Sequence, residues 1–212
     1  NPTWKTYSMN LFRSTSWSRK GLLMLAILMV GAHTSRCSPG VQVRMLTSMG
    51  EILVEVYPDR APVTARNFLD HVEKGSYTNS CFYRVVRLDN QPMNPVKIEV
   101  IQGGLFEEQK LDTIAPIPHE STQVTGILHA DGIISMARME PGSASTEFFI
   151  CVGDQPSLNF GGARNPDGQG FAAFGKVIKG MEVVRSIQAL PDQGQYLVEK
   201  VPILGMSVLP DE

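Results

Sequence analysis

The stretch IISMARMEPGSASTEFFIC, residues 133–151, decides the fold of this chain. Two short apolar runs, at 133–137 and 148–152, flank a Pro-Gly-Ser-Ala-Ser break. Short apolar runs bounded by turn residues are typical of strands buried in a sheet. The stretch therefore predicts two buried β-strands joined by a loop.

Further strands are predicted on both sides of this stretch. Alternating apolar residues at 41–45 and 52–56 flank the turn Ser48-Met49-Gly50, which predicts a β-hairpin. Runs at 81–87 and 96–104, and later at 171–178 and 201–208, also read as strands. In the run at 81–87, a period of two places Phe82, Arg84 and Val86 together on one face.

Two helices are predicted among these strands. Pro62 begins the first, in which Ala65, Phe68, Leu69 and Val72 repeat at helical spacing before Gly75. Met181, Val184 and Ile187 give a second, shorter helix after Gly180. Because the strands are joined by loops instead of helical crossovers, the pattern predicts a mainly β protein: an antiparallel barrel capped by two helices.

Composition indicates one ordinary globular domain. The chain has 212 residues, of which 42% are hydrophobic and 19% charged, enough apolar content for a folded core. The formal net charge of -2 argues against a nucleic-acid partner, because phosphate binding requires clustered Lys and Arg. We expect a monomer.

Residues 1–36 read as an N-terminal extension with a secretory signal, and residues 37–212 as the folded domain. Arg13, Arg19 and Lys20 precede an apolar run at 21–32 that is shorter than the ~20 residues of a membrane-spanning helix. This pattern predicts export to a periplasm or to the medium, with no stable membrane insertion after cleavage. The alternative is an uncleaved signal anchor that tethers the domain to a membrane.

The three cysteines, Cys37, Cys81 and Cys151, give no disulfide framework because their number is odd. Cys81 and Cys151 lie in predicted strands, where free cysteine commonly packs as a small apolar residue. A Cys81–Cys151 disulfide is the less favoured alternative.

Three motif classes can be set aside. Residues 168–173, GQGFAA, fit a dinucleotide-binding pattern but run into a strand, so no helix N-terminus would hold the phosphates. The four histidines lack metal-ligand spacing, and Ser143 and Ser145 lack a nearby base. We therefore expect neither a metal nor a cofactor.

Arg84 is the first candidate functional residue. A guanidinium in an apolar, aromatic strand costs free energy unless its head group reaches a partner or a groove.

Over residues 41–208 the chain resembles the cyclophilin family of peptidyl-prolyl isomerases. Segments of the family pattern arrive in family order, and the resemblance implies an eight-stranded barrel capped by two helices. The segments are 55–62 (EVYPDRAP), 67–68 (NF), 75–77 (GSY), 82–85 (FYRV), 101–104 (IQGG), 135–138 (SMAR), 147–150 (EFFI), 174–177 (FGKV) and 180–181 (GM).

The resemblance implies a peptidyl-prolyl cis-trans isomerase that acts on proline-containing polypeptides, here during the folding of exported proteins. It assigns Arg84 as the electrostatic catalyst and Gln102 as a hydrogen-bond donor to the substrate backbone. Phe149 would form the floor of the proline pocket, although packing alone accounts for this residue about as well. The implied substrate-binding residues are Phe82, Val100, Ala137, Arg138, Glu147, Phe149, Leu158 and Phe171.

Several positions depart from the family pattern. Glu99 and Glu147 stand where phenylalanine and glutamine are usual, and they would either pair with Arg84 or favour basic peptides. Phe171 replaces the usual histidine or tyrosine, and Ser157 replaces an aromatic residue of the pocket, which predicts weaker binding of proline and of cyclosporin. A proline-binding chaperone or scaffold with little turnover is the alternative function.

Overall fold

The computed structural model describes residues 40–106 and 114–210. The predicted N-terminal extension and signal, residues 1–36, lies outside these residues, as does Cys37. The described residues form, in chain order, β1 (Val41–Thr47), β2 (Gly50–Val56), α1 (Pro62–Glu73), β3 (Ser80–Val86), β4 (Val100–Gly104), α2 (Thr122–Thr125), β5 (Ile133–Met136), β6 (Phe148–Cys151), a 3-10 turn (Pro156–Leu158), β7 (Ala172–Lys179), α3 (Met181–Gln188), β8 (Asp192–Gln193) and β9 (Tyr196–Val208).

Eight of the strands form a closed antiparallel barrel. Their order is β1-β2-β7-β5-β6-β4-β3-β9, and β9 pairs back onto β1 to close the sheet. The short strand β8 pairs with β9 outside this ring. Closure leaves the eight strands without a free edge, so their backbone groups find partners inside the sheet. The predicted eight-stranded barrel is confirmed.

The apolar alternation of the first hairpin produces the barrel core. In β1, Val43 and Met45 are fully buried, and in β2 the same is true of Ile52, Val54 and Val56. The polar residues between them face outward, as the period of two requires.

Both predicted helices are present. Pro62 occupies the first turn of α1, where a missing N–H costs no hydrogen bond, and Gly75 follows the helix at φ +67°. The short helix α2, of four residues, is an additional helix that the sequence pattern did not predict. The residues predicted to bury the apolar face of α1 do so: Ala65, Phe68, Leu69 and Val72.

Strand β3 corrects the predicted alternation. Its register with β4 shifts between Phe82 and Arg84, so that Tyr83 is an extra residue in a β-bulge. Phe82 is fully buried in the core against Phe148, with ring centroids 5.8 Å apart. The predicted shared face of Phe82 and Arg84 is therefore wrong, and Tyr83 and Arg84 both face the groove described below.

Two strand boundaries also differ from prediction. Residues 96–99 stay outside β4, because the amide of Gln91 bonds to the carbonyl (2.6 Å) and the N–H (3.3 Å) of Ile98. Backbone groups satisfied by a side chain do not need a neighbouring strand. Strand β9 begins at Tyr196, five residues earlier than expected, because it pairs with β8 in a hairpin.

Cys151 is a free thiol buried in the core, so the alternative of a Cys81–Cys151 disulfide is excluded. Burial raises the pKa of this thiol above its ordinary value. Within residues 40–106 and 114–210, none of the helices has the length and apolar character needed to cross a bilayer.

Candidate active site

A groove of about 330 Å³ lies beside strands β3, β4 and β6. A larger cavity of about 430 Å³ lies elsewhere, between Met49, Leu190 and Val201, and no arginine lines it. The candidate active site is therefore the smaller groove, where most of the predicted residues meet. Its lining is Tyr83, Arg84, Ile98, Val100, Gln102, Ala137, Arg138, Met139, Phe149, Leu158, Arg164, Asn165, Phe171 and Tyr196.

Arg84 is held in this groove by neutral amides. Its Nη1 donates to Oε1 of Gln102 at 2.7 Å, and its Nε and Nη2 donate to Oε1 of Gln195 at 3.1 and 2.5 Å. Burial lowers the pKa of Arg84, while Tyr196 and Tyr83 act in the opposite direction. A guanidinium remains protonated in proteins, so the groove contains a positive charge fixed by uncharged partners.

A chain of hydrogen bonds fixes the amide of Gln102. The hydroxyl of Tyr83 donates to Oε2 of Glu147 at 2.5 Å, and Nε2 of Gln102 donates to the Tyr83 oxygen at 2.6 Å. Since the Tyr83 hydrogen is committed to Glu147, only the nitrogen end of the Gln102 amide can face it. The oxygen end of that amide therefore faces Arg84.

Glu147 lies behind the groove and does not line it. Its Oε1 also accepts the backbone N–H of Leu105 at 2.7 Å and that of Phe106 at 3.3 Å. The Thr146 hydroxyl also donates to Oε1, at 3.4 Å. Burial raises the pKa of Glu147, opposed by Tyr83, by these amides and by Thr146, and four donors converging on one carboxyl group suit its ionised form. The prediction that Glu147 contacts substrate is corrected to a supporting role.

Glycine at position 104 makes room for this carboxylate. A Cβ atom there would lie 2.3 Å from Oε1 of Glu147, and the backbone has φ +148°, which favours glycine. The Gly-Gly pair after Gln102 thus has a packing function.

Gln195 is a site residue that the sequence pattern did not predict. It lies in the turn between β8 and β9, where Gly194 and Gln195 have φ of +57° and +79°. Two consecutive positive φ angles are typical of the tight hairpin turn that matches strand twist. The amide of Gln195 is also fixed through its nitrogen, because Nε2 donates to the Asn90 carbonyl at 3.2 Å.

Another part of the groove lining is apolar. Phe149 is 5% exposed and packs edge-on against Phe171, with ring centroids 5.3 Å apart. Val100 and Leu158 complete this surface, and Leu158 is fully buried. These side chains form a pocket in which a pyrrolidine ring would lose its contact with water.

His129 packs behind Phe149, with ring centroids 5.9 Å apart. Its Nδ1 and backbone N–H both contact Oδ1 of Asn159 at 2.9 Å, so Nδ1 carries the hydrogen. Nε2 then accepts from the Ser135 hydroxyl at 3.0 Å. Burial lowers the pKa of His129 from 6.5 to about 4, partly opposed by the Asn159 hydrogen bond, and the ring is neutral at pH 7.

Arg138 lies over the Phe171 ring, 5.1 Å from its centroid. Unlike Arg84, it has a carboxylate partner, because Nη1 and Nη2 donate to Asp167 at 2.8 and 2.9 Å. Its Nε donates to the Gly170 carbonyl at 2.8 Å. Ala137, the preceding residue, also lines the groove.

Eight of the ten predicted site residues meet in the groove. Phe82 does not, because the bulge turns it into the core, and Glu147 lies behind Tyr83. The suggested pairing of Glu99 or Glu147 with Arg84 is absent from the ion pairs of the described residues. The eight residues are Arg84, Val100, Gln102, Ala137, Arg138, Phe149, Leu158 and Phe171.

The part of the chain that the structure describes contains no group of three or more His, Cys, Asp or Glu side chains placed to hold a metal ion. The side chains that line the groove offer amides, guanidinium groups, phenols and an apolar pocket.

Comparison with known proteins gives one consistent family. The family model for "Cyclophilin type peptidyl-prolyl cis-trans isomerase/CLD" matches residues 42–208. A peptidyl-prolyl cis-trans isomerase of Acinetobacter baylyi is 36% identical over 183 residues, covering 85% of this chain and 87% of the relative. Peptidyl-prolyl cis-trans isomerase B of Escherichia coli is 37% identical over 160 residues, covering 74% of this chain and 89% of the relative.

Solved structures agree on the fold. A cyclophilin type peptidyl-prolyl cis-trans isomerase of Cryptosporidium parvum superposes with a TM-score of 0.63 at 22% identity, covering 82% of this chain and 99% of that chain. A second structure of the Cryptosporidium protein, determined in the presence of the dipeptide Ala-Pro, gives a TM-score of 0.62, covering 80% of this chain and 99% of that chain.

Proposed function

The chain belongs to the cyclophilin-type peptidyl-prolyl cis-trans isomerases, and from this membership we propose that it rotates Xaa-Pro bonds of exported proteins in the groove around Arg84. The observation that carries the assignment of the groove is a guanidinium, held by neutral amides, beside an apolar pocket. The guanidinium is needed because the barrier to rotation is electronic. The apolar pocket is needed because the proline ring is apolar.

The barrier arises from amide resonance. Rotation of a peptide bond costs about 18–20 kcal/mol because the C–N bond loses its partial double-bond character. Xaa-Pro bonds populate both isomers in unfolded chains and interconvert slowly without catalysis. An enzyme therefore needs to stabilise only the twisted state, and no covalent step is required.

Arg84 would supply that stabilisation. When the amide twists, the lone pair of the prolyl nitrogen leaves resonance and becomes a hydrogen-bond acceptor. A guanidinium aimed at this nitrogen interacts more strongly with the twisted state than with the planar one, which lowers the barrier. The amides of Gln102 and Gln195 orient the guanidinium without cancelling its charge.

The apolar pocket would bind the ring. Phe149, Leu158 and Phe171 surround a space from which water is displaced on binding, and loss of water strengthens the electrostatic contact of Arg84. Gln102, with its amide orientation fixed by Tyr83, would hold the substrate backbone.

Substitution of Arg84 tests this assignment. In a protease-coupled assay with a cis-proline peptide, Arg84→Ala should lower kcat/KM by about 10- to 100-fold, because a charged hydrogen bond contributes about 1.5–3 kcal/mol. Arg66→Ala is the matched control, since Arg66 is an exposed arginine of α1 outside the groove. Equal, near-background rates for wild type and Arg84→Ala would instead support a proline-binding scaffold.

Export and oligomeric state are further parts of the proposal. The basic and apolar segment at 13–32 supports synthesis as a precursor that is exported. The released domain would act as a monomer, without nucleic acid or membrane. N-terminal sequencing of the mature protein tests export: a sequence that begins after residue 32 supports it, and an intact N-terminus supports a signal anchor.

A further inference from the structure

The charged residues that line the groove are all basic. Arg84, Arg138 and Arg164 line it, whereas no Asp or Glu does so within the described residues. Among the described carboxylates nearest in sequence, Glu147 is engaged behind Tyr83, and Glu99 lies between two lining residues without lining the groove itself.

The three arginines differ in their partners. Arg138 is neutralised by Asp167. Arg164 uses Nη1 to bind two uncharged acceptors, Oε1 of Gln91 at 2.9 Å and the Val96 carbonyl at 2.6 Å. Neither Arg84 nor Arg164 forms an ion pair in the portion of the chain described by the structure.

Two uncompensated cations in one groove repel each other. Burial lowers the pKa of Arg164, and the nearby charge of Arg84 lowers it further. Lys97 adds another positive charge on the loop that Arg164 contacts, with its Nζ on the Gln91 carbonyl at 2.6 Å. An anion bound between these groups would relieve the repulsion.

We propose that the groove selects proline peptides that carry a carboxylate side chain at one of the two positions before the proline, and that Arg164 binds this carboxylate. The proposal rests on the proposed function and specifies its substrate class. A carboxylate accepts two parallel hydrogen bonds from a guanidinium, the geometry that makes arginine suited to this ligand. A lysine side chain in the same position would meet two guanidinium groups, so the groove also rejects basic peptides.

The expectation of a preference for basic peptides depended on Glu99 and Glu147 facing Arg84. The structure uses Glu147 to hold Tyr83 and two backbone amides instead, which leaves the groove positive. Because Glu147 does not face Arg84, the groove is expected to prefer acidic peptides to basic ones.

A peptide series tests the proposal. Acetyl-capped Ala-Xaa-Pro-Phe and Xaa-Ala-Pro-Phe p-nitroanilides, with Xaa as Ala, Glu or Lys, are compared by kcat/KM in the protease-coupled assay. The acetyl cap removes the positive charge of the peptide N-terminus, so the Xaa side chain alone sets the charge that is compared. We expect Glu to exceed Lys by about tenfold at one of the two positions at low salt. The ratio should fall as salt is raised, because ions screen exposed charges.

Variants identify the residue. Arg164→Gln should bring the Glu-to-Lys ratio toward unity, and Arg164→Lys should retain part of it because the charge remains. Arg66→Gln removes the same charge outside the groove and should leave the ratio unchanged. If Arg164→Gln loses its fold through the contacts with Gln91 and Val96, the wild-type ratio and Arg164→Lys still decide the question.

The outcomes separate the two proposals. Turnover of the alanine peptides with equal rates for Glu and Lys overturns the acidic preference alone. A wild-type preference that survives in both Arg164 variants overturns the assignment of Arg164. Absence of turnover for every peptide overturns the proposed function and, with it, the specificity.

Discussion

The two walls of the groove are stabilised in different ways. The apolar wall, consisting of Val100, Phe149, Leu158 and Phe171, is held by packing, and His129 lies behind Phe149. The polar wall, consisting of Tyr83, Arg84 and Gln102, is held by directional hydrogen bonds.

This difference separates stability from rate. Packing against the core contributes free energy of folding in proportion to buried area, so damage to the apolar wall should lower stability first. Hydrogen bonds that orient a partly solvated charge contribute less net stability, but they set the position of the group proposed to act on the substrate. Damage to the polar wall should therefore lower the rate first.

The largest expected effect concerns His129 behind the apolar wall. Its folded pKa of about 4 lies below the unfolded value of 6.5, so the unfolded state binds a proton first as the pH falls. The stability contribution is complete above pH 6.5 and is lost between pH 6.5 and 4. Over that range His129 should account for about 3 kcal/mol of the free energy of unfolding.

Urea unfolding at a series of pH values measures this contribution. His129→Gln cannot titrate, so its stability should fall less steeply than that of wild type between pH 6.5 and 4. Parallel curves for the two proteins would show that the His129 pKa is not depressed in the folded state.

The next effect concerns the clamp on Arg84. Gln195→Glu places a carboxylate against the guanidinium and gives Arg84 the kind of partner that Arg138 has in Asp167. We expect kcat/KM to fall by about 30-fold, or ~2 kcal/mol, because a neutralised guanidinium attracts the prolyl nitrogen less strongly. The free energy of unfolding should be unchanged or higher.

Gln193→Glu is the control, since it adds the same charge to the exposed face of the same hairpin. A Gln195→Glu enzyme that loses stability while keeping its rate would reverse the distinction between the two walls.

The smallest effect concerns the far end of the hydrogen-bond chain. Glu147→Gln replaces two acceptor oxygens by one, so its nitrogen would face Tyr83 while its oxygen keeps the amides of Leu105 and Phe106. The Tyr83 hydroxyl would then donate to Gln102, whose amide would turn its nitrogen toward Arg84. Two donors facing each other should lower kcat/KM about fivefold, or ~1 kcal/mol.

Glu140→Gln, a substitution of an exposed carboxylate outside the groove lining, is the matched control. When Tyr83→Phe is already present, adding Glu147→Gln should change kcat/KM little, because the hydroxyl that links position 147 to Gln102 is gone. A full fivefold loss in the Tyr83→Phe background would exclude transmission through Tyr83.

The apolar wall could be predicted from sequence because residues close together in the chain define its strands. Phe149 sits in a short apolar run between turn residues, and such runs predict buried strands from a few neighbours. The same local patterns located the first hairpin, the two main helices and the barrel class. The eight-strand count and the site residues came from the resemblance of nine short segments to one family.

The polar wall could be predicted only in part, because its contacts join distant segments. A bulge at Tyr83 reverses which side chains share a face, and the regular alternation of the run at 81–87 gave no sign of it. The sequence around Gln195 has a glycine between polar residues near a strand, which indicates a turn. This pattern does not indicate that the Gln195 side chain contacts Arg84. Glu147 was assigned to substrate because the resemblance gave its place in the chain without its hydrogen-bond partners.

The position of Gln195 in the chain determines when its contact with Arg84 can form during biosynthesis. Gln195 is synthesised just before β9, which closes the barrel by pairing with β1, the first strand of the described residues. Contacts between such distant parts of a chain form late and slowly. Arg84 can therefore be held by Gln195 only after β9 has left the ribosome and closed the barrel.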